Sequence, residues 1–148
     1  MTPLDIIESR IAELAECPDA SLAAGSLLKL GEETLEHWVS ARGYVPTVAE
    51  KEGFRLLALH RQGAKDIPSF NACRETCREL AYHYNLITMA SDHPDTKQRL
   101  RLASLVANHL YLFVRGKMEE SELGDFCCSS KPIHGEPGQE TGNEQRGI

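Results

Sequence analysis

The stretch FNACRETCRELAYHYNLI, residues 70–87, decides the fold class. Its apolar positions Phe70, Cys73, Cys77, Leu80, Tyr84 and Ile87 step +3, +4, +3, +4, +3. At 3.6 residues per turn those steps return to one face, so the stretch reads as an amphipathic helix with a heptad seam. A half-buried strand would alternate with period two, whereas Arg74, Glu75, Arg78 and Glu79 fall off the seam in helical fashion. A single such helix is marginal in water, so other helices must cover it.

The flanking sequence supplies them. Asp66-Ile67-Pro68 opens the seam helix, the fourth in chain order and the one expected at the centre. Thr2-Pro3-Leu4-Asp5 sets Thr2 as N-cap of a first helix, with Leu4, Ile7, Ile11 and Leu14 on one stripe before Pro18. Asp19 caps a second helix that runs to about Arg42 and stops at Gly43, with a kink or break expected near Gly31. Thr47 and Glu50 have capping-box spacing and predict a third helix from Thr47 to Gly63. A fifth helix follows Asp92-His93-Pro94-Asp95, with Leu102, Val106, Leu110 and Phe113 near one face, Leu105 and Leu112 widening it, and Gly116 ending it. From Ser129 the chain is rich in glycine and polar residues, with Ile133 and Ile148 its only large apolar residues. Such a segment buries too little to offset its ordering entropy. The expectation is therefore all-α: one antiparallel bundle of four to five helices over residues 1–128 and a disordered polar tail over 129–148.

Bulk properties narrow the class further. Hydrophobic residues make up 41% and charged residues 26%, as in ordinary globular domains. No run approaches the roughly 18 apolar residues of a membrane span. Met1–Asp5 lacks the basic and apolar regions of a secretory signal, so the cytoplasm is the expected location. The net charge of −6 is unevenly spread. Residues 1–52 hold ten acidic and four basic side chains, and residues 53–117 hold five acidic and ten basic ones. Acidic and basic helices facing one another, within the bundle or across a homo-oligomer, account for this. Lys97, Arg99 and Arg101 read as a solvated face. The basic excess lacks interleaved aromatics, which argues against nucleic acid.

Four of the five cysteines form two close pairs. Cys73 and Cys77 lie on the heptad seam, so they are expected to pack as small core residues. Cys127 and Cys128 lie off any periodic pattern, with Lys131 and His134 close behind. A nearby lysine favours the thiolate, and two thiolates with an imidazole suit zinc or copper(I). Cys127, Cys128 and His134 are thus the candidate metal ligands of a thiol-dependent binding or redox-sensing protein.

A weaker alternative set is Glu33, His37, Glu79 and His83, two pairs each four apart on one helix face. Inward-facing, they would approach half of a di-metal carboxylate site. That site type spaces Glu and His by three and needs two further glutamates. Surface ion pairing explains the spacing more simply. No phosphate loop, nucleophile elbow, HExxH motif or zinc-finger spacing is present, so no catalytic residues are assigned. The leading expectation is a small cytoplasmic accessory protein, without catalysis of its own, that meets a protein partner or a second copy through a helix face. The thiol protein is the alternative, and a di-metal bundle enzyme the second alternative.

Overall fold

The computed structural model describes residues 1–123, and these are helical with no strand among them. The helices are α1 (Leu4–Leu14), α2 (Ala20–Ala41), α3 (Arg55–Ala64), α4 (Arg74–Met89, led in by a 3₁₀ segment over Pro68–Cys73) and α5 (Thr96–Glu120). The contacts divide the chain at Val114, and the core described here belongs to Met1–Val114. The expected tail lies outside the described residues.

The helix at the centre is α2, where the sequence pointed to α4. It packs against α1, α3 and α4. The expected break at Gly31 is absent, because this glycine serves packing. A methyl group there would lie 2.7 Å from Leu80, 3.2 Å from Leu56 and 3.6 Å from Leu110. Three other helices therefore reach the α2 backbone at this one residue. Asp19 caps the helix by accepting from the Leu22 amide at 3.1 Å. At the other end Gly43, at φ +88°, takes the left-handed turn that lets the Tyr44 amide return to the Val39 carbonyl.

Three other helix ends differ from expectation. Thr2 does not cap α1; the cap position is Pro3, with no side-chain bond. Helix α3 begins at Arg55 rather than Thr47. The Thr47 hydroxyl accepts from Ala49, two residues on, which makes a turn instead of a capping box. Lys51 and Phe54 then exchange both backbone hydrogen bonds around Glu52 and Gly53, which have φ of 55° and 85°. That reversal cannot be part of a helix. Helix α5 passes through Gly116 and continues to Glu120, since nothing there requires a positive φ.

The seam around residue 80 faces inward as its spacing predicts. Phe70, Cys73, Cys77, Leu80 and Ile87 are buried, and Tyr84 is half-buried, edge-on to Phe54. Phe70 is the hub. It stacks on Trp38 with ring centres 4.7 Å apart and meets Phe113 edge-on at 5.5 Å. The Trp38 indole N–H donates to the Gly63 carbonyl at 2.9 Å, so the large ring is buried without stranding its donor.

Helix α5 departs most from the sequence reading. Its buried stripe is Leu100, Ala103, Ala107, Leu110 and Val114, with Tyr111 beside it. Of the four residues expected on its core face, Leu110 alone is buried. The Ser104 hydroxyl donates to the Ile11 carbonyl at 3.2 Å, which seats α5 on the last turn of α1.

Candidate functional site

The anchors of α5 fix its rotation. With Ser104 on α1, Leu110 against Gly31 and Phe113 on Phe70, the opposite face is turned to solvent. That face carries Gln98, Leu102, Leu105, His109 and Leu112, stepping +4, +3, +4, +3. It is a second heptad seam, displaced about half a turn from the buried one. Leu102, Leu105 and Leu112 are 43%, 65% and 45% exposed. Apart from Arg101 at one margin, no lysine, arginine, aspartate or glutamate falls on it. Charges begin at its edges: Arg101 pairs with Glu16 at 3.2 Å, and Arg99 approaches His93 at 3.4 Å. At 1.5 Å per residue, the strip from Gln98 to Leu112 runs about 21 Å along the helix. Its three leucines offer hydrophobic surface and shape, with Gln98 and His109 as polar groups along the same strip.

Sequence reading missed this face because it assigned its leucines to the core. The signal was present in Ala103 and Ala107. Two alanines at +4 spacing mark where a helix can approach its neighbours closely, and large leucines on the opposite side have nothing to approach.

The thiol pair of the seam is sealed. Cys73 and Cys77 are 2% and 0% exposed. The Cys73 thiol donates to the Phe70 carbonyl at 3.4 Å, and the His60 Nε2 lies 3.3 Å from the same oxygen. A hydrogen bond from Cys77 lowers Cys73 to about 6; burial opposes this and the neighbouring His60 assists it. The same contact, together with burial, pushes Cys77 well above the ordinary thiol range. An acidic thiol that no reagent reaches is a packing group.

The glutamate–histidine pairs have separate duties. Glu33 accepts from the Thr2 amide at 3.1 Å, and the His37 Nε2 bonds the Thr2 carbonyl at 2.7 Å. Together they clamp the start of α1 to α2. Burial raises the Glu33 pKa, but the Thr2 hydrogen bonds, Lys29 and the N-terminal charge outweigh it, for a net lowering. Glu79 is exposed, while His83 is half-buried with an Nδ1 that has no hydrogen-bond partner. Burial lowers the His83 pKa and Glu79 opposes this. Among the described residues no three His, Cys, Asp or Glu side chains gather into a cation site. Cys127, Cys128 and His134 lie outside the described residues. No described helix is long and apolar enough to cross a membrane.

The chain matches no protein-family model, no curated protein and no solved structure.

Proposed function

We propose that this chain is a helical accessory protein, without catalysis of its own, that binds a helix of another protein on the outer face of α5. The observation that carries the reading is the set of exposed leucines, Leu102, Leu105 and Leu112, on one face with heptad spacing, with Arg101 at its margin paired to Glu16. Covering each would recover on the order of 1 kcal/mol of hydrophobic free energy. The +3/+4 ridge is the geometry that receives the matching ridge of an amphipathic helix. Exposed apolar side chains also occur elsewhere, among them Leu22, Met89 and the loop residues Tyr44, Val45 and Val48, but without the +3/+4 spacing of a helical ridge. The cytoplasm is the proposed site of action, because Cys17, Cys73 and Cys77 are free thiols.

The test is the size of the particle that holds the tagged chain in gentle extracts of its source cells. The wild type should migrate well above its own 16.4 kDa, and Leu105→Glu should migrate as the free chain with an unchanged melting temperature. A wild type that runs free, or a Leu105→Glu variant that keeps its complex, removes this reading.

A further inference from the structure

We infer that the groove between the 47–51 loop, α3 and the start of α4 is a binding site for a small polyanion, of the class of phosphate-bearing metabolites. The groove is open to solvent on one side and offers about 680 Å³, a volume suited to a small molecule. Its lining is unlike the rest of this acidic chain. Lys51, Arg61, Lys65 and Arg74 all line it, and Glu50 is the single carboxylate among the lining residues. They converge from three segments: the loop with Lys51, the end of α3 with Arg61 followed by Lys65 just past its last residue, and the first residue of α4.

The cations are also available. Among the described residues no carboxylate lies within salt-bridge distance of Lys51, Arg61 or Lys65. Glu52, next in the chain to Lys51, is turned to Arg78 at 2.7 Å. Arg74 holds Glu75 at 3.1 Å, but both side chains are largely exposed and such a pair is easily exchanged. Elsewhere Arg55 is held by Glu36 at 2.6 Å and Arg101 by Glu16 at 3.2 Å. Four cations against one lining anion repel one another, and a multivalent anion relieves that repulsion. Two of the four are arginines, whose planar fork matches phosphate oxygens in pairs.

The loop wall is held in place before any ligand arrives. The Gln62 side chain accepts from the Thr47 amide and donates to the Val45 carbonyl, both at 2.8 Å. Arg55 donates to the Thr47 carbonyl at 2.8 Å, and the Lys51–Phe54 bridge fixes the loop's far end. The floor is small or fixed: Ala58, Ala64 and His60, the last bonded to Phe70. No long apolar side chain fills the space, so an anion can reach the cations from the open side.

The test is titration of the full chain with pyrophosphate, followed by backbone amide shifts at low salt. Saturable shifts are expected in residues 47–51, 58–65 and 71–74, with little change along α5. Arg61→Glu with Lys65→Glu should weaken binding at least about tenfold, because each reversal both removes and opposes a phosphate contact. These side chains are exposed, so the melting temperature serves as the folding control. Glu50→Gln should act in the other direction and tighten binding about two- to threefold by removing the one repelling carboxylate. Three results overturn the inference: no saturable shifts, shifts spread evenly over lysines and arginines across the surface, or a reversal variant that binds as the wild type does.

Discussion

Helices α4 and α5 carry the same +3/+4 apolar spacing and put it to opposite use. The α4 seam, with its 3₁₀ lead-in, is buried from Phe70 to Ile87 except at the half-buried Tyr84. The seam of Leu102, Leu105 and Leu112 lies in water. Spacing tells only that a stripe shares one face; what lies opposite decides whether the stripe is core. Opposite the α4 seam are charged and polar side chains such as Arg74, Arg78 and Glu79. Opposite the α5 leucines is a second apolar stripe built on Ala103 and Ala107, and that stripe wins the core because it permits close approach. A helix with two apolar faces buries one and offers the other.

The largest effect that would break this comparison is in the inward seam. Phe70→Ala should cost about 3–5 kcal/mol in chemical denaturation, since it empties the hub under Trp38 and Phe113. Gly31→Val should cost about 1–3 kcal/mol, because the new side chain collides with Leu80 and Leu56. Replacing Cys73 and Cys77 together by alanine should cost roughly 1–3 kcal/mol by lost volume. Both thiols should alkylate slowly in the native protein, and Cys127 and Cys128 are expected to alkylate faster; rapid labelling of Cys77 would mean that the seam is not closed.

Smaller effects belong to the outward seam and to pH. Leu105→Ser should change stability by no more than about 0.5 kcal/mol, whereas Ala103→Glu, two residues away and inward, should prevent folding. A large loss from Leu105→Ser would show that this face is core. Acidification should reduce stability modestly in two steps. Burial lowers the His83 pKa, so its contribution is complete above about 6.5 and falls away as the pH drops below that value. Glu33 is lowered as well, so its clamp on Thr2 holds above the ordinary carboxylate range and is lost as the pH falls through its own depressed value. His83→Phe should remove the upper step in a series of melts; a His83→Phe variant that keeps the upper step contradicts the His83 assignment.

Much of the fold was legible. The seam, Pro68, Asp19 and Gly43 set helix type and several ends through local rules that tertiary contacts did not override. Three of the errors share one cause: residues whose role is set by a neighbour distant in sequence. Thr47 looked like a cap but is drawn into a loop by Gln62 and Arg55. Gly31 looked like a breaker but is a contact point for Leu80. Thr2 looked like a cap but is held by Glu33 and His37. Of the candidate surfaces, the groove was illegible for the same reason, whereas the α5 face left a local signal that was passed over. The four cations of the groove are spread from Lys51 to Arg74 and converge through the fold, and the α5 leucines are marked as exposed by the alanines opposite them.

The most direct test of the account is a photo-cross-linker placed in turn along α5 in living cells. Positions 98, 102, 105, 109 and 112 should each give a discrete adduct of one mass. Positions 97 and 101, on the flank, should give little. Yield that follows the +4/+3 steps is the result predicted for a helix seated on this face. Equal yield at all seven positions, or none at any, would contradict it.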